Sequence, residues 1–258
     1  MPRSSPSPSP EPSSRPLAVL GASVAVLAAA NVLNNRLARR WAPLTSAAAT
    51  GALVAMARRS GLTWAELGFE HGRRGAIAGG ALAFGVAAVY GAGISVPRTR
   101  ALFRDERALS LTRARAFEEA LLQVPVGTVL LEEAGFRGAL YGMLRRQYGT
   151  PWATAVSSTL FGLWHILPAM DMARANPALA AVTAGEESPG RADTARIVAG
   201  SVVSTAAAGV LFCELRRRGG LLTPSLLHFA TNSLGYLFAR IAPKDDTQAV
   251  GTTWKPSA

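Results

Sequence analysis

The sequence has a single cysteine and three histidines in 258 residues, and only 17% of its residues are charged. An ordinary soluble domain has about 25% charged residues, so this shortage argues against a soluble protein. The lone Cys213 excludes an intramolecular disulfide and any metal site built from several cysteines. The chain also lacks a glycine-rich phosphate loop and a Gly-x-Ser-x-Gly motif. Its apolar runs contain no aspartate, so a Ser/His/Asp triad is not expected within them.

Apolar runs are what the sequence has in abundance. Hydrophobic residues make up 49% of the chain, and seven runs approach the roughly 20 residues that a helix needs to cross a bilayer. The runs cover residues 17–33, 41–57, 75–96, 120–143, 152–170, 197–215 and 221–241. We therefore predict an all-α fold, a polytopic integral membrane helical bundle with about seven (six to eight) transmembrane helices.

The net charge of +11 comes almost entirely from arginine, since only Lys244 and Lys255 are lysines. The arginines cluster at the ends of apolar runs, as at 58–59 and 216–218, which is where membrane proteins place positive charge. The expected partner is therefore the lipid bilayer, and no nucleic acid is expected. The abundance of arginine and alanine favours a GC-rich genome, and we expect the plasma membrane of a bacterial cell.

The same patterns divide the chain into segments. Residues 1–16 are rich in serine and proline and are expected to form a disordered tail. Residues 17–242 are predicted to form the membrane-embedded helical domain, with a motif-bearing core at about 118–241, and residues 243–258 a polar C-terminal tail. Between the second and third runs, Thr63 and Glu66 have the spacing of a capping box, which predicts a short interfacial helix over 61–68.

The fourth run contains three charges, Glu132, Glu133 and Arg137. Each costs about 2.5–3.5 kcal/mol at the centre of a membrane span, so they must face the bundle interior or a watery cavity and have partners. Glu133 and Arg137 are four residues apart, in the favourable order for an ion pair on one helix face. Glu132 lies about 100° around the helix and needs a different partner, for which a histidine or a metal ion is the natural candidate. The alternative is a solvated loop at 132–137 between two shorter helices.

Two of the three histidines lie within apolar runs. His165 is in the fifth run and His228 in the seventh, where Asn232 follows on the same helix face; His71 lies in a polar stretch. Two histidines and a carboxylate form a zinc ligand set, a glutamate can act as a general base, and an asparagine amide can stabilise an oxyanion. These residues suit the hydrolysis of an amide or ester bond. They suit proton relay in a proton-coupled transporter equally well.

The polar residues of the last four runs fall into three groups with recognisable spacing. The groups are Glu132-Glu133-x-x-x-Arg137, Phe161-x-x-x-His165 and His228-x-x-x-Asn232. In this order they resemble the motifs of the CPBP family, the CAAX-protease and bacteriocin-processing (Abi) intramembrane metalloproteases. That family is related to the Rce1-type prenyl-protein endoprotease. The resemblance covers about residues 120–240.

The resemblance implies an intramembrane endopeptidase that hydrolyses a peptide bond of a membrane-associated peptide or protein. Glu132 would activate a water molecule, His165 and His228 would hold that water or a metal ion, and Asn232 would stabilise the oxyanion. A catalytically silent membrane protein of the same fold, acting as an immunity or scaffold factor, is an alternative.

The resemblance also implies a metal and two supporting residues. Zinc is the usual assignment in the family, which gives His165, His228 and Glu132 as its ligands here. A metal-independent glutamate mechanism is proposed for relatives and stays open. Glu133 and Arg137 would support the site as an ion pair.

Overall fold

The computed structural model describes residues 14–100, 103, 106–175 and 191–241, and within these ranges every regular element is a helix. The predicted all-α fold class is confirmed. A helix satisfies its own backbone hydrogen bonds, which an apolar chain requires where water is absent. Among the described residues, three helices are long and apolar enough to cross a membrane, over Pro16–Leu37, Gly72–Ser95 and Thr194–Gly219. The other predicted spans are shorter, interrupted or more polar, and the count of about seven stays a prediction.

The first part of the chain forms three helices. They are α1 at Ser14–Val32, α2 at Ala42–Arg59 and α3 at Gly72–Ser95. A π-helical turn at Leu33–Leu37 and a 3₁₀ turn at Arg39–Trp41 connect α1 to α2. Short helices at Pro97–Arg100 and Glu106–Leu109 follow α3. Because α1 begins at Ser14, the helix takes in the last residues of the predicted tail; residues 1–13 and the C-terminal tail lie outside the described residues.

The helix that carries the three charges, α4, covers residues 113–140 and departs from regular α-helical geometry. It is α-helical over Arg113–Glu118 and Leu130–Glu132, and π-helical over Glu119–Val129 and Glu133–Leu140. Pro125, which has no amide hydrogen to donate, lies in the first π-helical stretch. π-Helical turns are rare and occur frequently at functional sites. The alternative of a solvated loop at 132–137 is wrong, because these residues are helical and buried.

Four further helices lie in the described residues after α4. They are α5 at Tyr141–Trp164, α6 at Ile166–Ala175, α7 at Arg191–Gly219 and α8 at Leu222–Ile241. Gly149, with φ of 82°, interrupts α5 in a conformation that glycine tolerates. The fifth run does not form one continuous helix over 152–170, because a tight turn from the His165 amide to the Gly162 carbonyl ends α5 at His165.

The segment predicted as an interfacial helix, 61–68, is a turn. The capping box does form, with the Thr63 amide donating to Glu66 at 2.7 Å and the Glu66 amide donating to the Thr63 hydroxyl at 3.1 Å. Gly61 and Gly68 have φ of 86° and 90°, and these left-handed residues at both ends limit the segment to a single turn. Leu67 is fully buried and anchors the turn to the bundle.

Helix packing brings the seventh run beside the fourth. Helix α8 packs against both α3 and α4, while α7 packs along α5 and α2 along α4. Glycines make two of these approaches possible: a Cβ atom added at Gly79 would lie 2.9 Å from the Leu226 Cβ, and one at Gly162 would lie 2.6 Å from the Val202 carbonyl oxygen. Small residues allow helices to approach closely in a bilayer.

Candidate active site

The three charged side chains of α4 are buried together. The exposed fraction is 3% for Glu132, 1% for Glu133 and 0% for Arg137. The Arg137 Nη1 atom lies 3.4 Å from Glu133 Oε1, so the ion pair predicted from the four-residue spacing is confirmed. Within the described parts of the chain, no guanidinium nitrogen of Arg137 makes a hydrogen bond. Charge and packing therefore hold this arginine in place.

Two aromatic rings enclose the Arg137 guanidinium. Its Cζ lies 3.7 Å from the centroid of the Phe161 ring and 4.9 Å from that of Phe212. Desolvated cation–π contacts of this kind are worth about 2 kcal/mol or more. Phe161 comes from α5 and Phe212 from α7, so the cation also ties these two helices to α4.

His228 connects α8 to both glutamates. Its Nδ1 lies 2.8 Å from Glu133 Oε1, and its Nε2 lies 3.5 Å from Glu132 Oε2. The ring packs against Phe212, with centroids 5.2 Å apart. A hydrogen on Nδ1 satisfies the close contact to Glu133, and this choice of tautomer leaves Nε2 as an acceptor in the neutral ring.

Glu132 has one oxygen in a hydrogen bond and one without a partner. Trp164 Nε1 donates to Glu132 Oε1 at 2.8 Å, whereas Oε2 makes no hydrogen bond within the described residues. Two acceptors, Oε2 and Nε2 of His228, thus face each other at 3.5 Å. Neither acceptor can satisfy the other, so this position needs a hydrogen-bond donor between the two atoms.

His165 lies at the junction of α5 and α6 and is only partly buried. Its Nδ1 lies 2.8 Å from the Phe161 carbonyl oxygen, and its ring meets the Phe161 ring edge-on at 4.6 Å. If Nδ1 donates to that carbonyl, Nε2 carries the free lone pair. In the described ranges no hydrogen bond or ion pair joins His165 to Glu132 or His228.

Asn232 follows His228 by about one turn of α8 and is half-buried. Its side chain makes no hydrogen bond to any part of the chain that the structure describes. The neighbouring Ser233 hydroxyl donates to the Ala120 carbonyl at 2.8 Å, which fixes this turn of α8 against α4. The Asn232 amide is therefore positioned by its helix and free to donate.

The predicted metal ligands are only partly assembled. Glu132 and His228 face each other, but His165 does not join them. Among the residues that the structure describes, no three His, Cys, Asp or Glu side chains lie close enough to hold a metal ion. A zinc centre needs at least three protein ligands. The residues as placed do not form a zinc site, and zinc binding stays a prediction.

Sequence reasoning missed two contributors to the site. Trp164 precedes His165 directly and supplies the hydrogen bond to Glu132. Phe212 lies in the otherwise unremarked sixth run and contacts both Arg137 and His228. A tryptophan beside an intramembrane histidine is a weak signal for the first, since a buried indole N–H needs an acceptor. No sequence signal identifies the second.

The fold and the site together define a polytopic helical membrane protein with a buried cluster of carboxylates, histidine and arginine. Residues 119–234 match the family model described as Type II CAAX prenyl endopeptidase Rce1-like. This match confirms the resemblance of the segment to the CPBP and Rce1-type proteases. All six predicted site residues lie inside the matched range. No curated protein and no solved structure gives a significant match.

Proposed function

We propose that this protein is an intramembrane endopeptidase that cleaves a membrane-associated peptide or protein, with Glu132 as the base that activates water. The observation that carries the proposal is the 3.5 Å contact between His228 Nε2 and Glu132 Oε2, an oxygen that has no hydrogen bond to the described residues. The match of residues 119–234 to a family of proteases supports the same activity.

The first proposed step is the activation of water. A water molecule bound at Oε2 gives a proton to the Glu132 carboxylate as its oxygen attacks the carbonyl carbon of the scissile peptide bond. His228 Nε2 shares that proton. Glu133 accepts from His228 Nδ1 and keeps the ring in this orientation, and the ion pair with Arg137 holds the Glu133 carboxylate in place.

The later steps use the two less buried polar side chains. The Asn232 amide donates to the oxyanion of the tetrahedral intermediate. His165 Nε2 accepts a hydrogen bond from the attacking water and orients it. The proton held by Glu132 and His228 then passes to the leaving nitrogen, the C–N bond breaks, and a new carboxyl terminus and a new amino terminus are released.

These steps require no metal ion, and zinc bound by Glu132, His165 and His228 is a separate prediction. Metal analysis of the purified protein tests it. One zinc ion per chain, lost in His165→Ala, would support zinc binding. Full activity in metal-free protein would contradict it.

The two alternatives differ in what they require of the buried residues. A proton-coupled transporter needs titratable groups along a path across the bilayer, whereas the buried acidic side chains of the described residues, Glu132 and Glu133, form one cluster. A silent scaffold protein does not require the hydrogen bonds that orient His228 and Glu132. Residence in a bacterial plasma membrane is part of the proposal and follows from composition alone.

Mapping of cleavage products tests the proposed function. Membranes containing the wild-type protein or Glu132→Gln are incubated in H₂¹⁸O, and new peptide termini are identified by mass spectrometry. We expect new carboxyl termini that carry ¹⁸O with the wild type and none with Glu132→Gln. The matched control is Glu118→Gln, which changes a partly exposed carboxylate near the start of the same helix and should behave as wild type. New termini with Glu132→Gln, or none with the wild type, would contradict the proposal.

A further inference from the structure

A cleft of about 790 Å³ lies between α1, α2 and the first half of α5. Apolar side chains form most of its walls, among them Leu20, Met56, Leu62 and Met143. No residue of the candidate active site lines it. Its volume lies within the roughly 300–1,000 Å³ of small-molecule sites. The walls suit a hydrocarbon chain.

Arginines line the polar rim of this cleft. Arg146 is already paired, with Nε 3.1 Å from Glu66 Oε1 and Nη1 donating to the Ser60 carbonyl at 3.3 Å. Arg59 is exposed and also lines the cleft. No carboxylate pairs with Arg59 in the ranges that the structure describes. Arg59 therefore places uncompensated positive charge at the mouth of an apolar cleft.

The cleft lies at the end of the bundle where lipid headgroups are expected. The cleft lies where α1 begins and α2 ends, beside the turn that holds Trp64. Trp64 is 53% exposed, and its ring contacts the Arg58 guanidinium at 4.9 Å. Exposed tryptophans and clustered arginines are typical of the membrane–water interface. This end of the bundle has further exposed arginines at Arg73, Arg74, Arg145, Arg217 and Arg218.

We propose that the cleft binds one phospholipid with an anionic headgroup. An acyl chain lies between α1 and α5, and the headgroup phosphate lies beside Arg59. Basic pockets between transmembrane helices recognise anionic headgroups in this way. A zwitterionic lipid fits the apolar walls equally well, but its own cation would oppose the charge of Arg59. The lipid site shares no residue with the candidate active site and does not depend on the proposed proteolysis.

Native mass spectrometry of the full-length protein tests the proposal. The protein in detergent is titrated with dioleoylphosphatidylglycerol or dioleoylphosphatidylcholine, and the fraction with one bound lipid is measured. We expect one phosphatidylglycerol to bind preferentially. Arg59→Gln should weaken its binding about five-fold, which corresponds to about 1 kcal/mol per arginine near the membrane surface. Arg145→Gln, a neighbouring exposed arginine that does not line the cleft, should bind as wild type.

A second variant tests whether the acyl chain occupies the cleft. Ala22→Trp places a large ring in the cleft wall and should abolish the bound lipid. Equal binding of the two lipids, or equal effects of Arg59→Gln and Arg145→Gln, would overturn the proposal. Displacement of the lipid by inorganic phosphate would indicate a phosphate site instead. Absence of any bound lipid would indicate that another segment of the chain fills the cleft, and dimers weakened by Ala22→Trp would indicate a second copy.

Discussion

Replacing Arg137 by methionine should destabilise the protein by about 3–5 kcal/mol, because breaking a buried ion pair leaves the remaining charge uncompensated. The structure supports a value at the upper end. Arg137 is fully buried, its partner Glu133 is 1% exposed, and the substitution also removes the cation–π contacts with Phe161 and Phe212. For a protein of this size the loss corresponds to a fall of roughly 6–20 °C in Tm.

A double-mutant cycle separates the ion pair from the packing. Glu133→Gln/Arg137→Met removes both charges and should be more stable than Arg137→Met alone, because neutral replacements of a buried pair are often tolerated. Thermal unfolding in detergent, followed by circular dichroism, measures each variant. The control is Arg115→Met, a partly exposed arginine on the same helix, which should leave the Tm close to that of the wild type because solvent screens its ion pairs. Additive effects of the two substitutions would refute a coupled buried pair.

Three further predictions follow from particular contacts. Trp164→Phe removes the hydrogen bond to Glu132, and such a bond to a charged acceptor is worth about 1.5–3 kcal/mol. The variant should therefore lower kcat about ten- to hundred-fold without changing KM. An unchanged kcat would exclude a positioning role for Trp164. Gly79→Ala should destabilise the bundle by about 1–3 kcal/mol through overpacking against α8, whereas Gly80→Ala, with open space around it, should not; equal Tm values would contradict this packing. Hydrogen bonds from the capping-box threonine hold the pKa of Glu66 below its usual 4.5, so its stabilisation is complete above that value and is lost as the pH falls through the lower folded value. Between about pH 6 and pH 3 the Tm of the wild type should therefore fall by more than the Tm of Glu66→Gln. Equal falls would contradict a lowered pKa of Glu66.

Much of the site follows from the sequence because a bilayer makes polar residues conspicuous. Glu132, Glu133 and Arg137 stand out in an apolar run, and four-residue spacing gave the correct ion pair. The contact of His228 with both glutamates depends on how α8 packs against α4. Spacing within one helix carries no information about how two helices pack. The sequence indicated this contact only through the need of Glu132 for a histidine or metal partner.

Hydrophobic pattern predicted helices but not their interruptions. The end of α5 at His165 depends on a local turn that apolar composition does not encode. The π-helical geometry of α4 is equally invisible to a pattern based on regular helices. The turn at 61–68 differs, because the sequence does contain a signal for it. Gly61 and Gly68 flank the capping box and indicate that it does not extend into a helix.

The role of the Glu132 carboxylate in activating water can be measured from the rate of a single turnover. With a substrate identified from the mapped termini, the rate constant for peptide cleavage is compared between the wild type, Glu132→Gln and the control Glu118→Gln. A positioned general base contributes about 10²–10⁴-fold. We predict a loss of that size in Glu132→Gln and none in Glu118→Gln. A Glu132→Gln variant that cleaves at the wild-type rate would show that Glu132 is not the base.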